Sequence, residues 1–124
     1  MLHAIALAAQ LRVPDLLAES PRTAAALAQA TGSDADALYR LLRALSSAGV
    51  FAERPGRAFA ETPISRLLRA DVAESMRSVA VLAGESWRAA WYDLPYAVRT
   101  GRSAFGHRYG TSFYEWIAKE RSAA

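Results

Sequence analysis

Residues Thr23 to Thr62 constrain the fold more than any other stretch, because helix, turn and strand signals follow one another there in close order. A short amphipathic segment carrying Ala24, Leu27 and Ala28 opens at Thr23 and closes at Gly32. A longer one follows, with Ser33 as N-cap, Asp36 three residues on, and Gly49 where the chain must leave the helix. Within it Ala35, Leu38, Leu41, Leu42 and Leu45 recur at three- and four-residue spacing and turn one face to the core, while Asp36, Arg40, Arg43 and Ser47 fall elsewhere. Val50 to Arg54 and Arg57 to Thr62 then read as short strands around a Pro55-Gly56 turn. Helix, turn, helix and β-hairpin make a winged-helix pattern in a mainly α chain, with further helices flanking it. Such a module serves either to read DNA, with its second helix in the major groove, or to pack and dimerise.

Charge favours neither strongly. The net charge is +3 and the pI about 9.7, yet arginines and acids are interspersed rather than blocked. The composition is 52% hydrophobic, and the excess is largely alanine and leucine, so helices with apolar surface to spare are expected. A chain of 124 residues suffices for one domain burying roughly two-thirds of its unfolded surface. The absence of cysteine excludes a disulfide frame, a thiolate nucleophile and a zinc finger, which makes a cytoplasmic setting the default expectation. No apolar run approaches the roughly eighteen residues of a membrane span, and Met1 to Leu11 lacks the features of a signal peptide.

Outside the winged centre, Met1 to Leu11 is helical in pattern and apolar around more than one face, through Leu2, Ile5, Leu7 and Leu11. Such a helix at a terminus is expected to be covered in part by a second subunit, or alternatively to lie in a groove of its own chain. Val13 to Ala18 reads as a second short helix with Pro14 in its first turn, directing Val13, Leu16 and Leu17 inward. After the hairpin, Thr62-Pro63 starts a helix over Ile64 to Leu68, and Asp71 or Ser75 caps a longer one with a stripe of Val72, Met76, Val79, Ala80 and Ala83. Gly84 and Ser86 offer a break before Trp87, Ala90, Trp91, Leu94 and Val98 continue a similar stripe, kinked at Pro95. Thr100 to Tyr109 reads as a loop, and Ser112 with Glu115 opens a last helix directing Phe113, Trp116 and Ile117 to one side.

No catalytic constellation assembles from these residues. His3 and His107 have no motif neighbours of the kind that supports nucleophilic or metal chemistry, and the seven glycines never fall into a G-x-G-x-x-G arrangement after a strand. Neither catalytic nor metal-ligating residues are therefore assigned. For DNA the winged pattern is joined by Arg40, Arg43, Arg54 and Arg57, but Asp34 and Asp36 occupy the first turn of the would-be reading helix and would repel the duplex. Acids there suit a helix N-terminus electrostatically in any case. The remaining feature is an aromatic cluster, from Trp87 to Trp116, too large for a plain core. Part of it is expected to form an apolar wall that meets a partner domain or a flat aromatic ligand.

The segments Thr23 to Ala28, Asp36 to Leu45 and Gly49-Val50-Phe51 together resemble the N-terminal dimerisation domain of SAM-dependent small-molecule O-methyltransferases. Leu94 to Gly101 and Tyr109 to Glu115 look most like the bacterial anthracycline and aromatic-polyketide branch, so that the likeness covers nearly the whole chain. The resemblance implies that residues 1–124 form a dimerisation and substrate-capping domain, paired with its twin as a homodimer. It implies that a separate C-terminal Rossmann-like domain binds SAM and carries the catalytic base, so that this chain by itself holds no cofactor and transfers no methyl group. By the same resemblance Trp91, Tyr92 and Tyr96 face an aromatic acceptor, and Tyr109 and Phe113 lie near the SAM and substrate cleft. Some members of this branch use SAM for hydroxylation or decarboxylation, which leaves the parent reaction open. Two alternatives stand beside this one: a winged-helix transcription regulator, and a ligand-binding protein that kept the aromatic wall.

Overall fold

A computed structural model describes residues 1–123, which are mainly helical with one small antiparallel sheet. The chain divides into two compact units, Met1–Gly84 and Glu85–Ala124. The first contains α1 (Leu2–Gln10), α2 (Val13–Leu16), β1 (Arg22–Thr23), α3 (Ala24–Thr31), α4 (Ala35–Ser47), β2 (Ala52–Arg54), β3 (Ala58–Ala60), α5 (Pro63–Arg66) and α6 (Arg77–Leu82). A single π turn, Ala83–Trp87, follows. The second contains α7 (Arg88–Trp91), α8 (Leu94–Thr100), α9 (Ala104–Tyr109) and α10 (Phe113–Ala123).

The best-marked stretch folds much as its sequence dictates. Thr23 caps α3 by accepting from the Ala26 amide at 3.1 Å, and Gly32 ends it at φ +68°, a conformation that glycine adopts without steric cost. The cap of α4 is Asp34 rather than Ser33: the Asp34 carboxylate accepts from the Ala37 amide at 2.9 Å, while the Ser33 hydroxyl pairs with Thr31 at 2.8 Å. A carboxylate also complements the helix dipole, which a hydroxyl does not. Leu38, Leu42 and Leu45 are buried and Leu41 is half-buried, whereas Ala35 is exposed, so the apolar stripe starts one turn later than the pattern suggests.

These leucines meet Leu17, Leu27, Phe51 and Phe59 in one core. The strands are shorter than expected and number three, because β1 pairs with β3 through Arg22 and Thr23 and gives the order β1-β3-β2. A two-residue strand leaves no alternating pattern to read. The hairpin is tied to α4 by Tyr39, whose hydroxyl donates to Glu53 at 2.9 Å and whose ring lies 4.4 Å beneath the Arg57 guanidinium. Arg57 turns the chain at φ +56°, unusual for a side chain of its size.

Further corrections concern the flanking helices. Thr62 and Ser65 form a reciprocal capping box at the start of α5. Neither Asp71 nor Ser75 is the N-cap of α6, which follows Met76. Asp71 instead pairs with Arg69, while Ser75 still accepts from the Arg77 amide at 3.2 Å. Gly84 does not break the helix but lies buried in the π turn, where a Cβ would stand 2.1 Å from that of Ala6. Pro95 does not kink a continuous helix. The chain leaves α7 after Trp91, and Pro95 sits in the first turn of α8, where its missing amide costs no hydrogen bond. Residues 104–109, expected as loop, are helix α9, capped by Ser103 accepting from the Gly106 amide at 3.1 Å and ended by Gly110 at φ +72°.

Candidate functional site

The second unit builds a cavity of about 380 Å³ from its own helices. Trp87 at the end of the π turn, Ala90 and Trp91 on α7 and Leu94 at the start of α8 form one side. Ala104 and Phe105 at the start of α9, with Phe113 at the start of α10, form the other. The aromatic side chains brace one another: Trp87 and Phe113 lie 5.7 Å apart between ring centres, and Phe105 meets Phe113 edge-on at 5.5 Å and Trp116 at 5.7 Å. Trp91 is left 69% exposed at the cavity's edge, which is a large apolar surface for a solvated position.

Several polar groups on these helices are engaged. Arg108 binds Asp93 through two hydrogen bonds of 3.1 Å, joining α9 to the residue before α8. The His107 ring stacks on Tyr96 at 3.8 Å between the same two elements. Tyr109 donates from its hydroxyl to the Ser86 carbonyl at 3.1 Å and packs on Phe105 at 4.5 Å. Tyr92 is 68% exposed and accepts from Arg88 at 3.1 Å.

The structure thus brings two of the five expected site residues, Trp91 and Phe113, into the cavity wall. Tyr92, Tyr96 and Tyr109 stand outside it. Leu94 and Phe105 belong to the wall and were not singled out as site residues. Trp87-Ala90-Trp91-Leu94 carries a helical-stripe signal, whereas Phe105 was hidden by reading its segment as loop. The local signals for α9 are Ser103 before a short apolar pair and Gly110 at its end. The cavity's lining residues offer no charge to match a SAM amino-acid moiety, and the sheet has no parallel strand followed by a glycine-rich turn. No cluster of metal-ligating side chains occurs among the described residues, and no helix is long and apolar enough to cross a membrane.

In the first unit a smaller hollow of about 220 Å³ lies against α1 and the start of α4, lined chiefly by Leu7, Leu11, Leu38 and Leu41. Met1, Leu2 and Leu7 are exposed along α1, as are Met76 and Val79 at α6. The buried side of α1 consists of Ala6, Ala8 and Ala9, so the helix is apolar on its outer face as well. His3 places Nδ1 at 3.3 Å from the Gly84 carbonyl and donates to it in the Nδ1–H tautomer.

The shifted titrating groups lie in the segment of the first unit after α5. Arg69, only 17% exposed, donates to Asp71 and Glu61, which raises its own affinity for the proton. These hydrogen bonds hold the Asp71 carboxyl below the usual range, and Arg66 does the same for Glu74. This is a structural clamp rather than acid–base machinery.

Compared with known proteins, residues 1–71 match the family model described as the O-methyltransferase dimerisation domain. The chain is 40% identical over 116 residues to the phenazine O-methyltransferase PhzM of Lysobacter antibioticus, covering 94% of this chain and 34% of that one. The crystal structure of LaPhzM superposes with a TM-score of 0.90 at 38% identity, over 98% of this chain and 37% of that one. An O-methyltransferase (NcsB1) from neocarzinostatin biosynthesis, solved with S-adenosyl-L-homocysteine and 1,4-dihydroxy-2-naphthoic acid, gives a TM-score of 0.75 at 37% identity, over 94% and 36% of the two chains. The chain spans about a third of the length of the curated relatives it matches.

Proposed function

This chain belongs to the family of O-methyltransferase dimerisation domains, and from that membership we propose that it pairs with a second copy of itself and walls the acceptor pocket of a SAM-dependent O-methyltransferase. In this reading α3, α4 and the β2–β3 hairpin are the helix-turn-helix and wing of a winged-helix core, and residues 1–124 form the dimerisation and capping domain. The cofactor and the catalytic base belong to a separate Rossmann-like domain. The acceptor is an aromatic, polyketide-like small molecule. Trp91 and Phe113 touch it directly, with Tyr92 and Tyr96 on the acceptor side and Tyr109 toward the cofactor cleft.

The observation that carries the reading is the outward apolar surface of the first unit. Met1 is 64% exposed, Leu2 50%, Met76 47% and Val79 44%, whereas soluble monomers rarely leave such residues in contiguous patches. In this reading a second copy covers them. DNA reading gains nothing from the same surfaces. Asp34 caps α4, and Asp36 at its first turn lies 3.7 Å from Arg40 and 3.6 Å from Arg57, so two of the arginines a duplex would need face acids of their own chain. Light scattering at micromolar concentration is expected to give a dimer, and Leu2→Glu with Val79→Glu to give a monomer. A monomeric parent chain overturns the proposal.

A further inference from the structure

Tyr109 stands behind the cavity wall yet is bound to both of its sides. Its hydroxyl donates to the Ser86 carbonyl at 3.1 Å, 23 residues away in sequence, and the residue after Ser86 is Trp87, the first of the wall. Its ring packs on Phe105, which belongs to the opposite side, at 4.5 Å between ring centres, and on Trp116 at 5.6 Å. Phenylalanine would make the same ring contacts, so they do not account for the hydroxyl. What the hydroxyl holds is the peptide plane that joins Ser86 to Trp87. That carbonyl oxygen, the Trp87 amide and the Trp87 Cα are coplanar, so a bond to the oxygen orients the stem of the indole directly. Ser86 also lies in the π turn, a rare geometry that occurs mostly as a single turn and frequently at functional sites.

The two residues before Tyr109 fasten α9 elsewhere. His107 stacks on Tyr96 and Arg108 binds Asp93, which ties α9 to α8 and to the residue that precedes it. The Tyr109 bond runs instead to the π turn, on the side of Trp87. Resting on the reading above that this cavity takes the acceptor, we propose that Tyr109 is a positioning residue. Through the Ser86–Trp87 peptide plane its hydroxyl sets the separation of Trp87 from Phe105, and with it how closely the wall grips a ligand. Tyr109 acts through Trp87 rather than by touching that ligand.

Full chain labelled with 5-fluorotryptophan gives a fluorine resonance for each of its three tryptophans, assigned by replacing Trp87, Trp91 and Trp116 in turn. Calorimetric titration with 2-naphthol supplies the binding readout. Tyr109→Phe keeps the ring and loses the hydroxyl; it is expected to shift the Trp87 resonance and to weaken 2-naphthol binding about three- to tenfold. A role confined to stability would lower Tm and leave both readings of the folded protein unchanged. Gly110→Ala, strained at φ +72°, displaces Tyr109 without removing its hydroxyl and is expected to move the same two readings should Tyr109→Phe fail to fold. An unmoved Trp87 resonance, or a shifted one with the parent's affinity, overturns the proposal and leaves the acceptor reading standing. A parent chain that does not bind 2-naphthol overturns the acceptor reading, and the Trp87 resonance still decides whether the hydroxyl holds the wall.

Discussion

Gly84 makes the sharpest test of how α1 is seated. A Cβ built there stands 2.1 Å from the Ala6 Cβ and 3.4 Å from the Leu2 carbonyl oxygen, whereas carbon atoms in van der Waals contact sit about 3.5–4.0 Å apart. Ala6 has no rotamer with which to yield, so Gly84→Ala must push the two backbones apart by about 1.5 Å. Overpacking of this kind costs about 1–3 kcal/mol, and the better helical propensity of alanine returns at most about 1 kcal/mol of it. A net loss of about 1–2 kcal/mol follows, read as a fall of about 4–8 °C in Tm for a chain of this length. Displacement of α1 also strains the contact between His3 and the Gly84 carbonyl. Ala6→Gly should restore the space: alone it is destabilising, through propensity and a lost buried methyl, but combined with Gly84→Ala the cost of the added methyl should vanish. Urea or thermal denaturation of the four proteins, at one fixed concentration because α1 is also the proposed dimer face, measures a coupling of about 1–2 kcal/mol. A Gly84→Ala protein as stable as its parent, or a coupling of zero, refutes this packing.

Asp34→Ala removes the N-cap of α4 and should cost about 1 kcal/mol in urea titration, whereas Ser33→Ala, which only loses its bond to Thr31, should cost less; the reverse order would reassign the cap. Asp71 and Glu74 have carboxyls held below their unfolded values, so their contribution is present above about pH 4.5 and is lost as the pH falls through the folded values. The Tm of an Asp71→Asn, Glu74→Gln double variant should accordingly lie below the parent's at neutral pH and converge with it in acid, and a gap that persists in acid would show that the clamp is not electrostatic. Arg108→Gln removes both bonds to Asp93 and should loosen α9 against α8, read as faster amide hydrogen exchange over residues 104–109; unchanged exchange there would show that the pair does not hold α9.

The legible parts of the fold are those whose cause lies within a few residues. The caps at Thr23 and Thr62, the glycine stops at Gly32 and Gly49, and the leucine face of α4 each rest on neighbours no more than a turn away, and the sequence carries those neighbours in full. The errors have a common origin in competition between nearby groups. Ser33 and Asp34 both suit a cap, and Ser33 loses because Thr31 engages it first. Pro95 suits either a kink or a start, and the choice depends on whether Trp91 ends its helix, which no local residue announces. β1 is invisible because its two residues gain a partner only once β3 is folded against them.

The cavity marks the same boundary more finely. Its Trp87-Ala90-Trp91-Leu94 side shows as a stripe at helical spacing, but its opposite side needs α9, whose sole local marks are the Ser103 cap and the Gly110 stop. Without that helix Phe105 has no direction, and the aromatic cluster reads as a crowd rather than as a wall. Once α9 is in place, the bidentate bond of Arg108 to Asp93 and the stacking of His107 on Tyr96 fix it against α8, so that the polar side chains of the hairpin serve its geometry and the apolar ones are left to face the ligand. That division of labour is why the cavity wall is uncharged although ionic groups stand on the same helices, and it is long-range pairing, fifteen residues apart in the case of Arg108 and Asp93, that brings it about.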